Sequence, residues 1–136
     1  MERRQFVRAA LTASASAAAG AALSNPAEAA SPATLTNVVF SEDDPGHFAA
    51  VKALHVPQVE VDAGSLKVTT PHPMSEAHYI VSHTVVLGDG TFVSRKTFSW
   101  RDHPVSMHKL PAGYKGQVTV TSTCNLHDWW VKTVTV

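Results

Sequence analysis

From residue 56 onward the chain alternates short runs rich in Val, Thr, Tyr, Phe and Trp with clusters of turn-forming residues, a rhythm that restricts it to strands. The runs cover 56–61, 66–70, 78–87, 92–100, 105–110, 116–122 and 129–136. Turn chemistry separates them at Asp62-Ala63-Gly64-Ser65, Gly88-Asp89-Gly90, Arg101-Asp102-His103-Pro104 and Pro111-Ala112-Gly113. Polar and apolar residues alternate along Val118-Thr119-Val120-Thr121, the period of a half-buried strand. About seven short antiparallel strands in roughly a hundred residues predict an all-β fold, an immunoglobulin-like sandwich. The only helix-like stretch after residue 30 is 47–54, behind the turn signal Ser41-Glu42-Asp43-Asp44-Pro45-Gly46, and it is too short to stand alone.

The first thirty residues have a different character. Glu2-Arg3-Arg4-Gln5-Phe6-Val7-Arg8 precedes an alanine-rich, weakly apolar run over 9–23 and then Ala27-Glu28-Ala29. This order reads as a cleavable twin-arginine export signal over 1–29, with small residues at minus three and minus one of a cut before Ala30. The run is too short and too rich in Ala, Ser and Gly for a membrane anchor. A mitochondrial presequence shares the Arg, Ser and Ala bias, but the paired arginines before Phe6 and the A-x-A site favour bacterial export and a periplasmic location. The expected organisation is a signal over 1–29, a linker and N-terminal loop over 30–50, and one domain over 51–136. Without Arg3, Arg4, Arg8, Glu2 and Glu28, eight basic and nine acidic residues remain, a formal charge of minus one. That balance lacks the basic footprint of a nucleic-acid binder.

Cys124 is the only cysteine, so an exported chain cannot close an internal disulfide. The thiol must pair with another chain, stay free or bind something. Cys124-Asn125-Leu126-His127 lets one turn present a sulfur and a nitrogen to one ion, and His55, His72 and His78 fall at strand edges or loops. A lone cysteine is usually a small buried hydrophobe and a lone histidine usually a surface or hydrogen-bonded residue. Together, one soft thiolate with several imidazoles suits iron, copper or zinc rather than magnesium or calcium.

The elements His55-Val56-Pro57, Pro71-His72-Pro73-Met74, His78-Tyr79 and Cys124-Asn125-Leu126-His127 occur in the order seen in superoxide reductases, and from Lys52 to the end the chain resembles the desulfoferrodoxin and neelaredoxin family. The resemblance implies an iron centre with His55, His72, His78 and His127 as equatorial imidazoles and Cys124 as the axial thiolate. It further implies reduction of superoxide to hydrogen peroxide, with an external one-electron donor protein restoring the iron, and it leaves room for a homo-oligomer. No second cysteine group of the C-x-x-C type is present, so the resemblance is to the single-iron, one-domain class. One departure stands out. The family carries Glu-Lys just before the histidine of the His-Val-Pro element, where this chain has Ala53-Leu54. Lys52, three positions before His55, is the candidate substitute for the catalytic lysine, and Glu42, Asp43 or Asp44 the candidate carboxylate.

Three other readings use the same residues. A cupredoxin-type copper electron carrier needs two histidines, a cysteine and usually an axial methionine. No methionine or glutamine follows His127, and Met74 and Met107 are poorly placed. A structural zinc site is closed by four ligands, one fewer than the candidates here. The same iron site with a different small oxidant is the third, since a fold does not fix a substrate. His47, His83, His103 and His108 match no ligand position and read as structural or exposed, and Trp129 and Trp130 as core or pocket-wall aromatics.

Overall fold

The computed structural model describes residues 37–136, and the expected export signal over 1–29 lies outside them. Eight strands form among the described residues: β1 Val39–Phe40, β2 Gln58–Asp62, β3 Ser65–Thr69, β4 Ile80–Leu87, β5 Phe92–Thr97, β6 Val105–Lys109, β7 Gln117–Cys124 and β8 Trp129–Thr135. A 3-10 helix over Gly46–Val51 runs into the single α-helical turn α1, Lys52–His55. One sheet has the order β1-β8-β7-β4-β5 and the other β2-β3-β6, so the fold is mostly β with two sheets in a sandwich-like arrangement.

Burial follows the two-residue period. Leu66 and Val68 of β3 face Val85 and Leu87 of β4 and Val118 and Val120 of β7, and with Leu110 they form the main apolar core. A smaller cluster of Ile80, Phe98 and Cys124 continues it toward one end. The β2–β3 hairpin turns on Ala63 and Gly64, both with positive φ, which matches the right-handed twist of the strands it joins.

Two features differ from the sequence expectation. Residues 31–40 read as a linker, yet Val39 and Phe40 pair with Trp129 and Trp130, and Phe40 is buried against the Trp130 ring. A two-residue strand has no period to read, and burial of one large aromatic is what fixes it. That pairing is parallel, whereas every other ladder is antiparallel as expected.

His83 and His108, read from the sequence as structural or exposed, are structural: both are fully buried between the sheets. Burial is the main cause, and the neighbouring charge of His108 the second, that pushes the pKa of His83 down from the ordinary 6.5 to about 4. A group with a depressed native pKa takes its proton more readily in the unfolded chain. Its contribution is therefore fully present above the ordinary histidine pKa of 6.5 and is lost as the pH falls toward about 4. The loss is on the order of 3 kcal/mol. Denaturant unfolding of the metal-free protein across this window is expected to show falling stability, and His83→Gln to flatten the slope. An equal slope in both proteins places the acid sensitivity elsewhere.

Candidate metal centre

Three connections deliver the five expected ligands to one end of the sandwich: the turn into β2, the β3–β4 connection and the β7–β8 loop. His55 closes α1, just before β2, and Val51 O accepts a hydrogen bond from its Nδ1–H at 2.8 Å. A carbonyl can only accept, so the proton sits on Nδ1 and the Nε2 lone pair points the other way. His72 follows β3, where its N–H donates to Thr70 O at 2.7 Å. His78 ends a tight turn in which its N–H and carbonyl both meet Ser75. Cys124 ends β7, and its N–H donates to Asp128 O at 3.0 Å, closing the loop that carries His127. Asp128 sits at φ 57°, a left-handed conformation that Asp tolerates.

Asn125 stitches two of these connections together. Its Oδ1 accepts from Tyr79 N–H at 2.9 Å and its Nδ2 donates to Ala77 O at 3.0 Å, holding the His78 turn against the Cys124 loop. Behind the imidazoles stands Trp130, stacked on His55 at 5.4 Å and donating from Nε1 to His127 O at 2.9 Å. Phe48 packs edge-on against His127 at 4.9 Å.

The donor atoms of His55, His72, His78, Cys124 and His127 all lie within 4.8 Å of one another. Around the ring His55, His72, His78, His127, neighbouring centroids are 4.6, 4.4, 4.7 and 4.6 Å apart and neighbouring planes cross at 73° to 84°. Across the diagonal, His55 and His78 are 6.0 Å apart and close to parallel. This is a square of imidazoles. Facing nitrogens are 3.0 Å apart for His72 and His78, 3.2 Å for His78 and His127, and 2.8 Å for His127 and His55. Four imidazole nitrogens bound to one cation at about 2.1 Å would lie about 3.0 Å apart along the edges of such a square. The Cys124 sulfur stands off one face, 3.2, 3.8 and 4.0 Å from the nitrogens of His78, His127 and His72.

Proton counting makes the same point. His78 Nε2 faces His72 Nε2, His127 Nδ1 and Cys124 Sγ at once, and a single N–H cannot serve three partners. His55 Nε2 has no proton to offer His127. Converging lone pairs of this kind fit a cation, and a thiolate with imidazoles fits iron, copper or zinc.

The electrostatics agree. Burial, then the charge of His55, depresses the pKa of His72 to about 4, and burial also lowers those of His55 and His78. Neutral imidazoles, the ligand form, are thereby favoured near neutrality. Burial pushes the Cys124 thiol up, while the Leu126 and His127 backbone amides favour the thiolate. His72 Nδ1 is buried with no hydrogen-bond partner. His55, His72 and Cys124 are buried and His78 and His127 half-buried, so solvent reaches the cluster from the His78 and His127 side.

Lys52 is not part of the cluster. Its side chain is exposed, and its amine donates to Glu42 O at 3.2 Å beside the Glu42–Lys132 ion pair. These residues border a groove with Ala53, Val56 and Pro57, on the outer side of α1. Trp130 is the core and pocket-wall aromatic that the sequence suggested, whereas the support given by Asn125 and Phe48 had little sequence signal, since each is an ordinary turn or helix residue until its partner is known.

A variant of the superoxide reductase (neelaredoxin) from Ignicoccus hospitalis superposes with a TM-score of 0.65 at 23% identity, covering 76% of this chain and 96% of that one. A variant of the Archaeoglobus fulgidus neelaredoxin in its reduced form gives 0.56 at 26% identity, covering 62% and 91%. The superoxide reductase from Treponema pallidum gives 0.51 at 28% identity, covering 60% and 67%. No curated protein matches the chain at a significant level. The sequence profile described as desulfoferrodoxin matches residues 47–133, a span that takes in all five donor residues of the cluster, and the chain belongs to the desulfoferrodoxin family.

Proposed function

We propose that the protein is a superoxide reductase with one iron per chain, held by His55, His72, His78 and His127 around the metal and Cys124 on one face. The observation that carries this reading is the square of imidazoles with the thiol off one face. A blue-copper site takes two histidines, and a structural zinc site four donors in all, so neither accounts for five converging donors. Bound here, iron would supply a one-electron couple, with the thiolate donating electron density to it. Superoxide takes one electron and two protons to become hydrogen peroxide, and an external one-electron donor protein completes the cycle.

The chain's own residues set the conditions. Val51 O fixes the tautomer of His55, the Asn125 side chain and the Trp130 indole N–H hold the ligand loops while the Trp130 ring stacks on His55, and the half-buried His78 and His127 leave a small anion a route to the site. Lys52 is proposed to steer the anion from the rim of α1, a role that governs association rate more than chemistry. We also infer an immunoglobulin-like sandwich, an export signal over 1–29, a linker and N-terminal loop over 30–50 that docks on the domain through Phe40, the iron-binding domain over 51–136, and a periplasmic location. Among the described residues no helix is long and apolar enough to cross a membrane.

Stopped-flow mixing of the reduced, iron-loaded protein with a superoxide pulse tests the reading. Rapid decay with peroxide and no dioxygen is the expected result; dioxygen release would mean dismutation, and iron well below one per chain would remove the centre. Lys52→Ala is expected to slow capture and weaken its salt dependence while electron transfer survives. An unchanged salt dependence excludes the lysine from steering.

A further inference from the structure

The five ligands come from both sheets. His55 leads into β2 and His72 leaves β3, in the three-stranded sheet, whereas His78 leads into β4, Cys124 ends β7 and His127 follows it, in the five-stranded one. The square of nitrogens is therefore only as well defined as the placement of one sheet on the other. The apolar core contributes burial of Leu66, Val68, Val85, Val118 and Val120, which is non-directional and does not by itself specify polar register between the sheets.

A seam of hydrogen bonds does. Ser94 Oγ meets His108 Nδ1 at 2.6 Å, His108 Nε2 meets Ser106 Oγ at 2.7 Å, and Ser106 Oγ meets His83 Nδ1 at 2.8 Å. His83 Nε2 then meets Thr70 Oγ1 at 2.8 Å, and Thr70 Oγ1 meets Ser122 Oγ at 2.8 Å. Ser94, His83 and Ser122 belong to the five-stranded sheet; His108 and Ser106 belong to the other, and Thr70 directly follows its strand β3. All but one of these contacts cross between the sheets.

Each hydroxyl and each neutral imidazole has one proton to give and one lone pair to receive in this chain. The seam thus has two directional states, protons pointing from Ser94 toward Ser122 or the reverse, and either supplies one donor and one acceptor to each of the five contacts with both histidines neutral. None of its atoms is left without a partner. Burial lowers the pKa of both His83 and His108, which supports the neutral form. A satisfied buried network of this kind fixes a unique arrangement, because any slippage strands polar atoms in the core.

Its inner end stops beside the metal centre. Thr70 is two residues before His72 and its carbonyl holds the His72 N–H; Ser122 is two residues before Cys124. Their mutual hydrogen bond ties the two ligand-bearing strands together where they leave the sheets.

We propose that Thr70, Ser106 and His83 are positioning residues for the metal centre, a directional clamp that locks the two sheets so that ligands from opposite sheets meet in one coordination geometry. The proposal rests on the metal reading above. The test loads the full-length protein with cobalt(II) and records the thiolate-to-cobalt charge-transfer band and the cobalt affinity. Thr70→Val and Ser106→Ala are expected to shift the band and to weaken affinity by about tenfold. Ser106→Thr, which restores a hydroxyl, is expected to return both toward the starting values. A lower melting temperature with an unmoved band and affinity overturns the proposal, since a clamp that only adds stability would do that. Should Ser106→Ala fail to fold, Ser122→Ala, which removes only the terminal hydroxyl, is judged by the same two readouts. Absence of the charge-transfer band in the unmodified protein overturns the metal reading and this proposal together; its presence there, unmoved in the variants, overturns this proposal alone.

Discussion

Cys124→Ser is expected to abolish superoxide reduction by at least about a hundredfold while leaving the sandwich folded. Changes to residues that merely support a metal ligand cost about ten- to a hundredfold, so loss of a ligand itself sets that as a lower bound. The fold is expected to survive because Cys124 belongs to the small cluster of Ile80 and Phe98, not to the main core, and serine is nearly isosteric. The cost of a buried hydroxyl in place of the thiol is about 1–3 kcal/mol, within what a domain of this size tolerates. Four imidazoles remain, so metal is expected to bind with lower affinity but without the sulfur-to-metal charge-transfer band. Absorption of the iron- or cobalt-loaded variant checks the band, and superoxide decay checks the rate. A variant that keeps both would remove Cys124 from the centre.

The ligand loops were legible in the sequence because their donors are rare residue types at short spacings. His72 and His78 are six apart, and Cys124 and His127 three apart. The strands from β2 onward were legible through β-branched residues between turn signals, down to ends that shift by one to three residues. What escaped is instructive in β6. Its sequence Val105-Ser106-Met107-His108-Lys109 puts Val105 and Met107 on the side a hydrophobic pattern would bury. The structure does the reverse: Ser106 and His108 are buried with Leu110 next along, while Val105 and Met107 are exposed. Alternation gives the period of a strand but not which face turns inward. Here the choice is made by partners on other strands, since Ser94 bonds His108 and His83 bonds Ser106, which lets a serine and a histidine be buried. The same limit hid β1, whose two residues are fixed by Trp130 at the far end of the chain.

Trp130 joins the fold and the site, and Trp130→Ala is the substitution expected to damage both. The ring is completely buried, packs on Phe40 at 5.4 Å, and stacks on His55 at the same distance. Removing such a side chain costs about 3–5 kcal/mol, a large part of the roughly 5–15 kcal/mol that holds a domain folded. The metal-free variant is therefore expected to melt far below the unmodified protein. Two ligands lose support together, because His55 loses the surface it stacks on and His127 O loses the indole N–H. Trp130→Phe separates the two effects. It keeps an aromatic ring against Phe40 and His55 but deletes the hydrogen bond, so its stability cost falls to about 1–2 kcal/mol while the His127 loop is still released. Calorimetry of the metal-free forms should rank the proteins as unmodified, Phe, Ala, and metal titration should show that Phe alone already weakens binding. Because metal binds only the folded chain, excess metal is expected to raise the melting temperature of Trp130→Ala by mass action. A Trp130→Phe variant with unaltered metal affinity would confine Trp130 to the core and leave the orientation of His127 to the Cys124–Asp128 loop alone.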